Sequence, residues 1–219
     1  MLSLLATNPI AFLIYLIALL IAITVHEFSH AKVADYLGDP TPRLQGRLTL
    51  NPLVHLDPVG IILLFLVGFG WGKPVMFDPF NLKNPRKDAA LISIAGPGSN
   101  FVLALILSLL LRLFILFGQS ILVTIGYSVL VPIIFLNIVL GVFNFIPIHP
   151  LDGFKIVGGL LPEDKAHEWY QLERYGLIFL IILLLPFGQG NMLFFVIRPL
   201  INFFVNLLLP GGLAPTGIL

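Results

Sequence analysis

Several stretches of this chain approach the roughly 20 consecutive apolar residues that a helix needs to cross a bilayer, and this outweighs every other constraint on its fold. They are residues 9–25, 91–117, 121–146, 177–187 with their flanks, and 191–209. Strands of a membrane barrel alternate apolar and polar positions, so unbroken runs of this kind call for helices. With 58% hydrophobic and 11% charged residues, the composition lies outside the range of soluble domains. The mean hydropathy of +1.02 says the same. The sequence therefore predicts an all-α polytopic membrane protein with about five to six transmembrane helices. Its first run has no basic leader and no small-residue cleavage site, and reads as a retained span. A net charge of +1 gives no sign of a nucleic-acid partner. With no cysteine in the chain, any metal site must draw on His, Asp or Glu.

At the end of the first run stands HEFSH, residues 26–30. On a helix His26 and His30 lie one turn apart on the same face, so both imidazoles can reach one ion, with Glu27 beside them to serve as a base. Ionisable groups at membrane depth are costly and rarely occur without a role, which favours a metal site over two histidines hydrogen-bonded into a bundle.

A catalytic zinc takes three protein ligands and keeps an open position, so one ligand is missing. A metzincin-type extension fails, because Val33 and Tyr36 stand where glycine and histidine are required. Asp35 is nine helical residues from His26 and points the opposite way. Asp57, in NPLVHLDP, is possible. Asp152, in NFIPIHPLDGFK, is better placed, since it follows the apolar run 121–146 where Pro147 and Pro150 must interrupt the helix. Irregular backbone at membrane depth is tolerated where it is buried in protein or lines a cavity.

HEFSH together with Asn144, Pro147, Pro150, Leu151, Asp152 and Gly153 resembles the site-2 protease family of intramembrane zinc metalloproteases. The resemblance covers roughly residues 20–160 and is closest to the small prokaryotic branch, whose members carry neither PDZ nor CBS domains. It implies one zinc ion per chain held by His26, His30 and Asp152, with Glu27 as catalytic base. Asn144 would stabilise the reacting carbonyl and Asn100 would line the site. The implied substrate is a transmembrane segment of another membrane protein. His149, next to Pro150, departs from the expected apolar residue. On this reading residues 1–219 form a single membrane-embedded domain, with a catalytic core at about 9–160 and further helices at about 165–210.

Topology follows without the family. Both ligand motifs lie near the C-terminal ends of their helices and must meet at one depth, so those helices run the same way and one crossing separates them. Residues 87–117 supply it. The run 59–70 would then reach only about 18 Å, short of a hydrocarbon core of about 30 Å. It is expected to be re-entrant, turning back within about 59–76 through GFGWGKPV. Ten of the twelve Lys and Arg fall on the active-site side, which the positive-inside rule makes cytoplasmic; the family resemblance implies the plasma membrane of a prokaryote. Arg112 falls opposite, and Arg198 has no assignment.

The extended stretch at Lys73 and Pro74 is expected either to pair with an unwound substrate strand or simply to make a tight turn. Small residues in AGPGSN read as helix-contact positions, His55 with Asp57 as a possible pair behind the metal, and Trp169 with Tyr170 as a membrane-boundary pair. The rival to proteolysis is a membrane protein that binds or transports zinc without hydrolysis. A prenyl-protein protease would need a downstream glutamate, and the remaining ones, Glu163, Glu168 and Glu173, cluster in a polar segment.

Overall fold

The computed structural model describes residues 2–67, 70–118, 120–187 and 190–210. Asn8 opens the first long helix: its side chain accepts from Ala11 N, and Pro9 occupies the first turn, where no N–H is needed. A short α1 (Leu2–Thr7) precedes it, and α2 (Pro9–Tyr36) runs on for 28 residues until Gly38, at φ +109°, turns the chain. Ala18, Ala22, His26, His30 and Ala34 form a buried stripe at four-residue intervals on α2. Small side chains there let the next long helix approach closely, and the two imidazoles lie on the same stripe.

After α3 (Thr41–Leu44) and a short 3-10 turn at Pro52–His55, Asp57 caps α4 (Pro58–Val67) by accepting from Val59 N and Gly60 N. This is an N-cap, so Asp57 does not pair with His55 behind a metal. Leu56 and Gly72 pair antiparallel and Lys73 N donates to His55 O, so α4 leaves and returns at the same level. Its Phe65 ring reaches Phe12, 5.9 Å away, near the start of α2. The excursion is re-entrant, about 20 Å deep by the helical rise from Glu27 back to Phe12. Gly60 and Gly70 allow the hairpin to close, since a Cβ on Gly70 would lie 2.2 Å from Gly60 O. Gly68 and Phe69 lie outside the described residues.

The chain then stays extended to the 3-10 turn at Pro79–Asn81 and enters α5 (Pro85–Leu116). Asn100 touches Ala22 while Ile92 meets His30, so α5 runs antiparallel to α2. Next come α6 (Ser120–Ile125), a π-turn at Gly126–Leu130, and α7 (Val131–Asn144), a near-continuous helical rod. Gly126 sits against Leu111 and Gly141 against Phe101, so this rod runs antiparallel to α5 in turn and parallel to α2. These three helices, Pro9–Tyr36, Pro85–Leu116 and Ile121–Asn144, are long and apolar enough to cross a membrane.

A turn at 145–151 leads into α8 (Asp152–Leu160), α9 (Glu163–Tyr170) and α10 (Glu173–Leu184). The paired dipeptides β1 (Pro186–Phe187) and β2 (Gly190–Asn191) then lead into α11 (Met192–Leu208). Trp169 and Tyr170 are engaged inward: Trp169 Nε1 donates to Phe154 O, its ring stacks on Phe154, and Gly158 makes room for Tyr170. Ile134, Ile138, Ile197, Ile201 and Val205 build the main core between α7 and α11. Arg112 and Ser108 of α5 donate to the final carbonyls of α11, which gives Arg112 a capping role at that end. Nothing in the structure accounts for Arg198. Isoleucines and leucines of α5, α10 and α11 stand exposed along whole faces, as lipid contact requires.

Asp39 ties the loops after α2 and before α5 together. It is 0% exposed and accepts from Thr41 N, Thr41 Oγ1, Asp78 N and Asn81 Nδ2 at 2.6–3.0 Å. Burial pushes its carboxyl up, but these donors outweigh it and hold the group below the ordinary carboxylate range. A depressed folded-state pKa stabilises the fold above the unfolded value near 4, and the benefit is lost as pH falls through the folded value. Asp39→Asn is expected to cost about 1–3 kcal/mol at pH 7, because its NH2 group must face donors. Thermal unfolding in detergent should show the gap between wild type and variant narrowing below about pH 4.

Candidate metal centre

The site starts from α2. His26 Nε2 and His30 Nε2 are 3.0 Å apart, and Asp152 Oδ2 lies 3.1 Å from the first and 3.2 Å from the second. Asp152 is the first residue of α8 and arrives from the far side of the PLDG turn. Gly153 lets that turn fold tightly, since a Cβ there would fall 2.3 Å from Phe145 O.

The protonation pattern follows from main-chain carbonyls, which can only accept. His30 Nδ1 donates to Ile92 O, 2.7 Å away. Asn137 Nδ2 donates to Ile133 O, which leaves Asn137 Oδ1 to accept from Asn100 Nδ2 at 2.7 Å. Asn100 Nδ2 also donates to Ala22 O, so Asn100 Oδ1 is the acceptor for His26 Nδ1 at 2.7 Å. Both Nε2 atoms therefore present lone pairs, and they do so towards a carboxylate oxygen that is buried with no donor of its own among the described residues. Three acceptors facing each other repel unless a cation lies between them. Their separations approach the edge of about 3.3 Å that bonds of about 2.0–2.1 Å make in a tetrahedral zinc site. The donor set fits a metal ion, and zinc in particular.

Gly96 of α5 covers this cluster. A Cβ at that position would sit 2.3 Å from His30 Nε2 and 2.7 Å from His26 Nε2. AGPGSN is thus more than a helix-contact stretch: its first glycine leaves the space the ligand nitrogens use.

Glu27 accepts from Val75 N through Oε2 at 3.0 Å, so its carboxylate is anchored to the extended segment after the re-entrant hairpin. Arg47, only 4% exposed, holds that segment from behind by donating to Val54 O, Lys73 O and Pro74 O. Asn144 ends α7 with its Nδ2 donating to Leu140 O, 3.0 Å away, and is not among the ligand atoms. His149 faces Glu173 Oε1 at 3.5 Å and packs against Gly176, joining the ligand turn to α10. His55 is buried with Nε2 on Thr49 O, and Asp35 pairs with Arg43 at 2.6 Å. Gly96, Asn137 and Arg47 escape sequence reasoning. Only Gly96 left a trace, as part of a glycine-rich stretch inside a long apolar run.

Asn100→Ala removes the acceptor that sets the His26 tautomer. Losing such a partner typically weakens metal affinity about 10–100-fold, and a chelator-competition titration should show a loss in that range.

Two imidazoles and a carboxylate converging beside a helical glutamate make the residue set of a zinc metalloprotease. The chain is 41% identical over 202 residues to "Putative zinc metalloprotease YwhC" of Bacillus subtilis, covering 89% of each. A protein of the same designation, Rip2 of Mycolicibacterium smegmatis, is 27% identical over 80% of this chain and 67% of its own. Zinc metalloprotease MJ0392 of Methanocaldococcus jannaschii is 26% identical over 73% of this chain and 38% of its own. The chain belongs to the family of zinc metalloproteases that these proteins represent. No family model and no solved structure matches it.

Proposed function

We propose that this protein is an intramembrane endopeptidase of the site-2 protease type, which hydrolyses peptide bonds within or near transmembrane segments of other membrane proteins. The observation that carries the reading is the meeting of His26, His30 and Asp152, with Glu27 held beside them at the depth of the bundle. The charge distribution supports an active site facing the cytoplasm, and the bacterial and archaeal sources of the relatives support a prokaryotic cell. Zinc bound there supplies Lewis acidity, lowering the pKa of water and polarising a peptide carbonyl.

The remaining work belongs to the chain. Glu27 takes a proton from the attacking water and returns it to the leaving amine. Val75 N–H keeps its carboxylate oriented. A role for Asn144 as oxyanion donor requires its amide to leave Leu140 O and turn towards the substrate. The side chain of Asp152 is 16% exposed, against 6% for His26 and 10% for His30, so water and substrate enter from the Asp152 side. The apolar helix α11, 17 residues long, would add a fourth span to the three long ones, whereas the 12 residues of α10 reach only about 18 Å by helical rise.

A helical substrate must unwind before its carbonyls can be attacked. The segment after the hairpin is suited to receive it, since Met76 N and Phe77 N have no acceptor among the described residues. Met76→Pro removes one of these donors and is expected to lower cleavage about tenfold with zinc content unchanged. Unchanged cleavage would end the strand-pairing idea and leave the glycines only their role in closing the hairpin.

The test of the whole reading is reconstitution of the zinc-loaded protein in nanodiscs with a panel of tagged single-span substrates. Fragments that map within the span and disappear on zinc chelation are the expected result. A folded, zinc-loaded protein that yields no such fragment would favour a membrane zinc-binding or zinc-transport protein instead.

A further inference from the structure

Beside the metal centre lies a cavity of about 380 Å³, walled by Val75, Phe77 and Ala89 and carrying Arg86, Lys155 and Tyr170. Its position ties it to the chemistry. Val75 is the residue whose N–H holds Glu27, and Lys155 is one helical turn beyond Asp152. Phe77 is two residues along the extended segment from Val75, a distance of about 7 Å at strand rise.

The charge in this cavity is one-sided. No carboxylate lines it among the described residues. Arg86 Nη1 is shielded from solvent and has no hydrogen-bond partner among them either. Lys155 Nζ sits over the Phe77 ring, 4.8 Å from its centroid, and makes no ion pair among them. Arg86 also stands in the first turn of α5, where the helix dipole adds partial positive charge. Asp88, the acidic residue of that turn, is occupied in accepting from Asn84 N. An unpartnered guanidinium and a lysine against apolar walls fit a carboxylate carried on a short aliphatic stem.

Resting on the proteolytic reading above, we infer that this cavity is a substrate subsite, in which Arg86 and Lys155 bind an acidic side chain of the unwound substrate two or three residues from the scissile bond. The protease thereby selects substrates with an acidic residue at one register beside the cleavage point. The phosphate of an anionic lipid is the competing source of negative charge, and the test separates the two.

The full chain, zinc-loaded in phosphatidylcholine nanodiscs, is given a series of single-span substrates with Glu, Gln or Lys at each of the four positions on either side of the cleaved bond. Glu at one position two or three residues away should raise kcat/KM about fivefold over Gln, with Lys lowest. Arg86→Glu combined with Lys155→Glu should reverse that order, while Arg86→Lys with Lys155→Arg should keep it. Zinc content and thermal stability report whether each variant is folded; if the double reversal is not, Arg86→Gln should flatten the series. Equal rates for the three residues at every position, or a preference that survives the Arg86 and Lys155 changes, would overturn the assignment. So would phosphatidylglycerol binding that depends on Arg86 alongside an unaffected substrate series. If no substrate is cut, binding of fluorescein-labelled peptides carrying Glu or Gln replaces the rate. A Glu preference lost in Arg86→Gln then keeps the subsite and discards proteolysis, and no preference discards both.

Discussion

Glu27→Gln is expected to cut hydrolysis at least about a hundredfold and to leave zinc in place. Glutamine keeps the shape of the side chain and an oxygen to accept from Val75 N, so the segment it anchors stays put. What it lacks is the ability to take a proton from water, and losing a general base typically costs about 10²–10⁴-fold in rate. None of the three ligand atoms belongs to Glu27, so metal analysis of the purified variant should match wild type. Cleavage at more than about a tenth of the wild-type rate would assign the base to another group. Loss of zinc together with activity would make Glu27 a structural residue.

Gly96→Ala is expected to weaken zinc binding by a different route. Its methyl carbon would overlap both ligand imidazoles. Neither ring can retreat, because His26 Nδ1 is tied to Asn100 and His30 Nδ1 to Ile92 O, both in the same helix as Gly96. Overpacking of this kind costs about 1–3 kcal/mol, so zinc affinity should fall up to about 100-fold in chelator competition. Thermal stability without metal should fall by less than the overpacking cost, since alanine in place of glycine recovers about 1 kcal/mol in the helix. Gly98→Ala is the control, because its Cβ would meet only Ile94, at 3.9 Å. A Gly96→Ala protein that binds zinc as wild type does would mean that α5 shifts away from α2 at little cost.

Read from its residues, the sequence made the helical membrane architecture, the His26–His30 pair and the re-entrant nature of 59–70 accessible, because each follows from short-range rules of apolar length, four-residue spacing and helical rise. It ranked Asp152 above Asp57 as the third ligand from the interrupted helix before it, without a direct reason to exclude Asp57. Asp57 is spent on capping α4, whereas Asp152 reaches the imidazoles from a helix that follows α7. Asn144 was picked out by its motif, but the orientation of its amide, back towards Leu140, depends on local rotamer choice.

Length, apolarity and spacing thus decide that this chain is a helical membrane protein with a histidine pair able to share a metal ion. The folded arrangement of α2, α5, α7 and α8 decides which carboxylate joins that pair, which imidazole nitrogens face it, and why residue 96 must be glycine. Those outcomes turn on contacts between residues 74 and 62 positions apart, as in Asn100 on His26 and Ile92 on His30. Local propensity cannot encode a distance of that kind, because it arises only when separate helices pack and their buried polar groups must all find partners.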